Sequence, residues 1–228
     1  MDEAFKTNQL RSKEFFAKYL SGKVIDIGAG KDLVTPSAER FDMEDGDANI
    51  ITQFRPKDTY DAVHSSHCLE HMYDPLAALK EWWAIIKPGG YLVVVIPDED
   101  LYEQGIWPSV FNTDHKNTFR LGKEKSWSPV SHDVEELVNQ LPNAILISAE
   151  RQDANYDYAL QTHYPNDFKG LPWNVKFFKR KILNKIPFIN RKLVEAFENR
   201  LFRTRKYPID QTMRKAVAQI QIVAQKAK

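Results

Sequence analysis

Two histidines and a glutamate lie within five residues of each other in segment 65–71, which reads SSHCLEH. The spacing of His67, Glu70 and His71, H-x-x-E-H, would allow the imidazoles to bind a metal ion or to accept a proton. A zinc-peptidase helix can carry the same spacing, but such a helix has to be amphipathic on both sides of its ligands. Here an apolar strand pattern ends just before His67 and Pro75 follows closely, so a peptidase is disfavoured.

A glycine turn provides a second chemical signal in segment 24–32, VIDIGAGKD. Gly28 and Gly30 follow a short apolar strand pattern, and glycines let the backbone pass close beneath a ligand. Such a turn at the carboxyl end of a first strand is typical of a nucleotide or nucleoside site. Leu33 stands where a third glycine would complete the dinucleotide pattern, so a nicotinamide enzyme is disfavoured.

The elements that must position these residues alternate between strand and helix patterns. Segment 91–96, YLVVVI, is a continuous apolar run that suits the middle of a parallel sheet. Helices are predicted over 5–20, 75–86 and 133–141, and further strands over 23–27, 60–64, 144–149 and 217–225. The alternation predicts an α/β fold with a doubly wound, mostly parallel sheet.

Composition restricts the class of protein. With 228 residues, 43% of them apolar, the chain can bury one core and still hold an insertion. The net charge of +1 argues against a nucleic-acid binder that is basic throughout, and the single cysteine, Cys68, excludes an intramolecular disulfide. We expect Cys68 to be a small apolar filler. Without an apolar signal core near the N-terminus or a membrane-spanning run, we expect a cytoplasmic protein.

A basic segment interrupts the α/β pattern before the last strand. Residues 165–207 hold twelve Lys or Arg against three Asp or Glu, with apolar residues between them. We therefore predict one domain formed by 1–163 together with 208–228, and a basic helical insertion or cap over 164–207. The basic face over 169–206 is either simply solvated or a surface for an anionic membrane leaflet, a phosphorylated glycan carrier or RNA. A peripheral position at the inner face of the membrane therefore stays open, as does the oligomeric state.

Four motifs in chain order resemble those of class I S-adenosylmethionine-dependent methyltransferases of the small-molecule type, close to methyltransferase type 11. They are Asp26 with Gly28 and Gly30, the acidic stretch FDMEDGDA at 41–48, YDAVHSSHCLEH at 60–71 and IKPGGYLVVVIP at 86–97. The resemblance covers roughly residues 20–100. It implies a Rossmann-like sheet of seven strands, with S-adenosylmethionine as the cofactor and S-adenosylhomocysteine as its product.

The resemblance also implies roles for individual residues. Asp26, Gly28, Ala29 and Gly30 match the loop that holds the methionine part of the cofactor. Asp42, or else Glu44, would accept the ribose hydroxyls, and Asp47 with Ala48 would contact the adenine. Ser65, Ser66 and His67 would line the pocket beside the sulfonium, while Leu69 and His71 turn into packing. Only eleven residues separate Gly30 from Asp42, so the usual first helix must be shortened or replaced by a loop.

The acceptor is expected over the long loop that follows Ile96. Asp114 and His115 are our predicted orienting carboxylate and general base, with His67 as the alternative base. Tyr102, Trp107 and Phe111 could stack on a sugar or aromatic ring, or form a small satellite core.

Some small-RNA and quinone O-methyltransferases carry E-x-x-E-H at the position of 67–71 and hold a divalent ion with it. His67 replaces their first glutamate here, and we expect no metal. The predicted function is O-methylation of a sugar, glycan or other small polar acceptor, with RNA 2′-O-methylation or a catalytically silent cofactor-binding module as alternatives.

Overall fold

The structure is a computed structural model that describes residues 3–161 and 208–228. The basic insertion predicted over 164–207 lies outside the described residues, and so do its boundaries with the α/β domain. Among the described residues, no helix has the length and apolar character needed to cross a membrane.

Six strands of the described chain form one mixed, mostly parallel sheet. All strands, including a separate pair, are β1 (Val24–Ile27), β2 (Glu39–Phe41), β3 (Tyr60–Ser66), β4 (Ile86–Pro97), β5 (Thr118–Arg120), β6 (Ser131–Asp133), β7 (Ala144–Gln152) and β8 (Gln219–Lys226). The order is β2-β1-β3-β4-β8-β7; β2, β1, β3 and β4 are parallel, and β8 runs antiparallel to both of its neighbours. The predicted α/β class is confirmed, whereas the described part of the chain holds six strands in this sheet rather than seven.

Both faces of the sheet are buried. Successive residues of its central strands point to opposite sides, so each of these strands contributes side chains to both cores. One face packs against α3 (Pro75–Ala84) and α4 (Val134–Asn139), where Trp82 and Trp83 are almost fully buried. The other face packs against α2 (Lys13–Tyr19). On β3, Ala62 belongs to the second core and Val63 to the first, which is the alternation of a doubly wound sheet.

The single helix predicted over 5–20 is wrong, because the chain breaks it into α1 (Glu3–Leu10) and α2. Ser12 caps α2 by accepting a hydrogen bond from the Phe15 amide at 3.2 Å. Arg11 lies at the break, and its guanidinium donates to Gln221 on β8 at 2.8 Å. The break between α1 and α2 thus directs the Arg11 guanidinium toward the sheet. A continuous amphipathic helix would direct it elsewhere.

The segment between β1 and β2 is a loop, which is one of the two outcomes that the eleven-residue spacing predicted, the other being a shortened helix. Asp26 fastens it by accepting a hydrogen bond from the Val34 amide at 2.6 Å. A short 3-10 helix, Ala48–Gln53, takes the place of a longer element between β2 and β3. These short connections leave the carboxyl ends of β1 and β2 open toward the site.

Candidate active site

Two cavities meet at Gly28, at the carboxyl ends of β1 and β3. The larger one, of about 480 Å³, is lined by Gly28, Phe41, Asp42, Met43, Gly46, Asp47, Ala48, Asn49, Cys68, His71, Met72, Tyr73, Asp114 and Lys116. The smaller one, of about 370 Å³, is lined by Ala4, Asp26, Gly28, Ala29, Gly30, Lys31, Asp32, His64, Ser66 and His67. Both volumes fall within the range of roughly 300–1,000 Å³ that small-molecule pockets occupy.

The glycine turn lies where the two cavities meet: Gly28 lines both of them, whereas Ala29 and Gly30 line the smaller one. Gly28 has φ +73°, and a Cβ added to it would lie 2.7 Å from Cβ and 2.8 Å from Sγ of Cys68. Gly30 has φ +59°, and its amide donates to Oδ2 of Asp42 at 2.9 Å. The turn therefore depends on glycine both for its left-handed backbone and for the close approach of Cys68.

Some acidic residues of segment 41–48 line the wall of the larger cavity, and others lie exposed at its rim. Asp42 and Asp47 line the larger cavity, and Oδ1 of Asp47 caps the 3-10 helix by accepting from the Asn49 amide at 2.8 Å. Glu44, the second candidate for the ribose, is absent from the cavity wall; it pairs with Arg40 at 3.2 Å and is 82% exposed. The geometry favours Asp42 over Glu44.

A buried chain of polar groups lies beneath the smaller cavity. Asp26 Oδ1 is 2.6 Å from Nδ1 of His64, and Nε2 of His64 is 3.2 Å from Nη1 of Arg11. Burial lowers the pKa of Arg11 to about 10, and it also lowers the pKa of His64 in spite of the opposing charge of Asp26. Asp26 therefore supports the floor of the smaller cavity through its hydrogen bonds to His64 and to the Val34 amide, which hold the surrounding fold together.

The three predicted pocket residues 65–67 have different surroundings in the structure. Ser65 is fully buried, is absent from the walls of both cavities and donates from Oγ to the Ile27 carbonyl at 3.0 Å, so its predicted pocket role is wrong. Alternation along β3 turns Ser66 into the smaller cavity, where its buried Oγ has no hydrogen-bond partner among the described residues. His67 also lines this cavity, has φ +54°, and places Nε2 3.0 Å from Oε1 of Gln219 on β8.

The predicted pairing of Asp114 with His115 is wrong. His115 is buried and its Nδ1 lies 2.7 Å from Oε1 of Glu103, whereas Asp114 is exposed and contacts Nδ1 of His71 at 3.0 Å. The two neighbouring side chains diverge because one faces the interior and the other the cavity. No spacing rule connects Glu103 to His115 twelve residues later, so no sequence pattern indicates this pair.

His71 also differs from its prediction, because it lines the larger cavity instead of turning into the core. Leu69, its predicted companion in packing, is fully buried. Cys68 lies between them and the glycine turn, and burial together with nearby carboxylates raises the pKa of its thiol to about 12. The thiol is therefore protonated and unreactive near neutral pH, which agrees with its expected role as a filler.

Glu70 lies at the centre of an imidazole cluster. Its Oε1 is 3.5 Å from Nδ1 of His67 and 3.9 Å from Nε2 of both His71 and His115. We call these four residues the Glu70 cluster. Burial by itself would raise the pKa of Glu70, but the three imidazoles together lower it. The backbone of Glu70 accepts from the amides of Lys116 and Asn117, which brings the distant His115 to the cluster.

The predicted stacking aromatics lie in the loop that carries His115. The ring of Tyr102 contacts Phe111 and His115 at centroid distances of 5.7 Å and 5.2 Å. Trp107 is half-buried on the same loop. Tyr102 and Phe111 therefore pack against each other and support His115 from behind, as a satellite core would.

The two cavities fit S-adenosylmethionine in shape and in chemistry. The open space over Gly30, where an added Cβ would meet nothing within 4 Å, lets a ligand lie directly on the turn. The unpaired Oγ of Ser66 in the smaller cavity suits the polar methionine end, and the carboxylate of Asp42 in the larger cavity suits two ribose hydroxyls. Asp47 and Ala48 lie farther along the larger cavity, where an adenine would be held.

Comparison with known proteins agrees with this fit. A family profile for methyltransferase domains matches residues 4–165. An uncharacterized methyltransferase of Schizosaccharomyces pombe is 37% identical over 112 residues, which is 43% of this chain and 40% of the yeast protein. The chain thus spans less than half the length of that curated relative.

Two solved structures of phosphoethanolamine N-methyltransferase 2 from Haemonchus contortus share the fold. One, with phosphomonomethylethanolamine and S-adenosylhomocysteine, has a TM-score of 0.52 and 14% identity, covering 98% of this chain and 53% of the other. The other, with S-adenosylmethionine, has a TM-score of 0.50 and 12% identity over the same shares. Because the profile covers most of the chain, the chain belongs to the methyltransferase-domain family, and it shares its fold with the two Haemonchus structures.

Proposed function

We propose that this protein methylates a hydroxyl oxygen of a small polar acceptor, such as a sugar or glycan. The observation that carries this proposal is the Glu70 cluster, which adjoins both cavities and offers imidazoles to a hydroxyl proton. Bound S-adenosylmethionine supplies a methyl carbon activated by a positively charged sulfur. The protein then has to orient the acceptor and remove its proton.

The chain holds the cofactor through residues of both cavities. In this proposal Gly28, Ala29 and Gly30 accommodate the methionine part, together with Ser66. Asp42 accepts the ribose hydroxyls, because a carboxylate can take two hydrogen bonds at once. The wall formed by Asp47 and Ala48 orients the adenine.

His67 is the proposed general base. It lines the smaller cavity beside Ser66, whereas His115 lies buried behind the cavity walls. The Nε2 of His67 is held by Gln219, so the acceptor proton would be taken at Nδ1, where Glu70 at 3.5 Å stabilises the resulting imidazolium. Asp114 and Lys116 make the nearby wall of the larger cavity polar, which favours a hydrophilic acceptor.

Calorimetric titration with S-adenosylhomocysteine, followed by a methyl-transfer assay, tests the proposal. Purified protein is incubated with S-adenosylmethionine and a panel of free sugars and oligosaccharides, and release of S-adenosylhomocysteine is measured. Nuclear magnetic resonance of the product should place the new methyl group on oxygen. His67→Gln should lower kcat by about 100-fold or more while the affinity for S-adenosylhomocysteine changes little.

Other outcomes would contradict the proposal in distinguishable ways. Methylation of RNA that falls steeply as salt rises would favour the RNA 2′-O-methyltransferase alternative. A methyl group on nitrogen, as the name of the Haemonchus enzyme implies for that protein, would overturn O-methylation but keep the enzyme class. Binding of S-adenosylhomocysteine without turnover on any acceptor class would support a silent cofactor-binding module.

A further inference from the structure

Glu70 is a buried carboxylate whose charge the described residues do not satisfy by hydrogen bonds. Its side chain is 1% exposed, and neither oxygen accepts a hydrogen bond from any residue in the part of the chain that the structure describes. Leaving a buried charge without partners costs several kcal/mol, so such groups are normally paired or bind metal ions. Imidazoles at 3.5–3.9 Å surround Oε1, at distances too long for hydrogen bonds.

Two of these imidazoles have the orientation of metal ligands. The Nε2 atoms of His71 and His115 both face Oε1 of Glu70 at 3.9 Å, and the three donor atoms all lie within 4.8 Å of one another. A first-row cation about 2.1 Å from each donor would hold the donors about 3–3.4 Å apart. The two 3.9 Å gaps would therefore have to close by at least about half an ångström when an ion binds.

Each of these imidazoles is also held from behind by a carboxylate. Nδ1 of His71 lies 3.0 Å from Oδ2 of Asp114, and Nδ1 of His115 lies 2.7 Å from Oε1 of Glu103. A carboxylate on Nδ1 fixes the tautomer that leaves the Nε2 lone pair available, and this arrangement recurs behind metal-bound histidines. Glu103 and Asp114 would thus orient the imidazoles of His115 and His71, a role that their positions in the sequence did not indicate.

We propose that Glu70, His71 and His115 bind one divalent first-row transition-metal ion. Two imidazole nitrogens and one carboxylate oxygen suit ions such as Zn²⁺, Mn²⁺ or Fe²⁺ better than Mg²⁺ or Ca²⁺, which prefer oxygen ligands. His67 lies outside the ligand set, because the donor atoms that all lie within 4.8 Å of one another belong to Glu70, His71 and His115. The sequence-based expectation of no metal rested on the short motif alone and did not include His115.

The ion would lie at the wall of the larger cavity, because His71 belongs to that wall. Three protein ligands leave coordination positions open, and one of these could take an acceptor oxygen and favour its deprotonation. This role in orienting the acceptor rests on the proposed function. Metal binding itself is independent of it.

Titration of the metal-stripped, full-length protein with Co²⁺ tests the site, followed by calorimetry with Zn²⁺. We expect one ion per chain and the visible absorption of Co²⁺ with nitrogen and oxygen ligands. Glu70→Gln, His71→Asn and His115→Asn should each weaken binding by at least about tenfold. His132→Asn is the matched control, because that half-buried histidine on β6 contacts Asn117 and makes no contact with Glu70.

Affinity for S-adenosylhomocysteine, measured on every variant, reports whether the variant is folded. The proposal is overturned if the wild type binds neither Co²⁺ nor Zn²⁺ saturably, or if the three ligand variants are folded and keep the wild-type affinity for the metal. Methyl transfer to a hydroxyl by a protein that binds neither Co²⁺ nor Zn²⁺ would remove the metal site and leave the proposed function standing. If the wild type binds one ion and the three ligand variants lose it, the metal site is supported. If no hydroxyl is methylated in the same experiments, the proposed acceptor is removed.

Discussion

At the scale of single residues, Gly28 carries two constraints at once. Its left-handed backbone shapes the turn, and the absent side chain leaves room for Cys68 at the point where the two cavities meet. Gly30 shares the backbone constraint but faces open space. The two glycines of one motif are therefore not equivalent.

The stabilities of the Gly28→Ala and Gly30→Ala variants measure the two constraints separately. Gly30→Ala should cost about 1–2 kcal/mol for the left-handed backbone, whereas Gly28→Ala should cost a further 1–3 kcal/mol, roughly, because it overpacks against Cys68. Urea unfolding of both variants measures the difference. Equal losses of stability would show that Cys68 moves away without cost.

Asp42 is expected to be the ribose ligand. Asp42→Ala removes a carboxylate from the larger cavity and the acceptor for the Gly30 amide, so affinity for S-adenosylhomocysteine should fall about tenfold or more. Glu44→Ala is the matched control, since Glu44 lies two residues away and is mostly exposed. Calorimetry that finds the same affinity for Asp42→Ala as for the wild type would contradict the assignment.

At the scale of elements, one carboxylate ties three strands together. Asp61 on β3 accepts from the Lys23 amide before β1 at 2.7 Å and from Nζ of Lys87 on β4 at 2.8 Å. The hydrogen bond from Lys87, followed by that from the Lys23 amide, lowers the pKa of Asp61. A lowered pKa in the folded state means that this carboxylate stabilises the fold above its unfolded pKa and loses that effect as pH falls.

Asp61→Asn should therefore destabilise the protein near pH 7, by about 0.5–1 kcal/mol because the exposed pair is screened by solvent. The deficit should shrink as pH falls below about 4, through the ordinary pKa of aspartate, since the wild-type carboxyl then becomes protonated as well. Unfolding midpoints in urea at pH 7, 5 and 3 measure the trend. A deficit that stays constant with pH would contradict the charge-based explanation.

At the scale of the whole molecule, the two ends of the described chain meet beside the smaller cavity. Ala4 of α1 lines that cavity, and Nζ of Lys6 donates to the carbonyls of Thr212 and Ala216 at 2.9 Å and 3.1 Å. Gln219 on β8 donates to Oγ1 of Thr7 and also contacts His67. The N-terminal helix thus lines the smaller cavity, and β8 holds that helix and His67 in place.

Ligand binding should accordingly stabilise α1. With S-adenosylhomocysteine at 100 times its Kd, hydrogen exchange in α1 should slow by roughly 10-fold to 100-fold if the helix opens when the ligand leaves. Mass spectrometry of the exchanged protein measures this, with α4, which lines neither cavity, as the internal reference. Protection of the 28–30 turn without protection of α1 would show that the helix is no part of the binding unit.

The strongest patterns of the sequence predicted the framework. Segment YLVVVI lies in β4, the spacing between Gly30 and Asp42 predicted a shortened helix or a loop, and the glycine turn ends β1 at the cavities. These features follow from local periodicity and backbone freedom, which a few consecutive residues specify. The break at Arg11 was missed, because its guanidinium is held by groups on β3 and β8 more than fifty residues away.

The sequence by itself determined that the chain is a doubly wound α/β domain with a glycine turn typical of nucleotide or nucleoside sites, because strand alternation and a glycine turn are local properties. Only the tertiary structure decided the partners of the titratable groups: Glu103 with His115, Asp114 with His71, and Glu70 among three imidazoles. Apart from the local pairs of Glu70 with His67 and His71, these contacts join residues 12 to 45 positions apart, and they depend on how the loop after β4 folds back over the segment that follows β3. Neighbours in sequence, such as Asp114 and His115, point apart for the same reason.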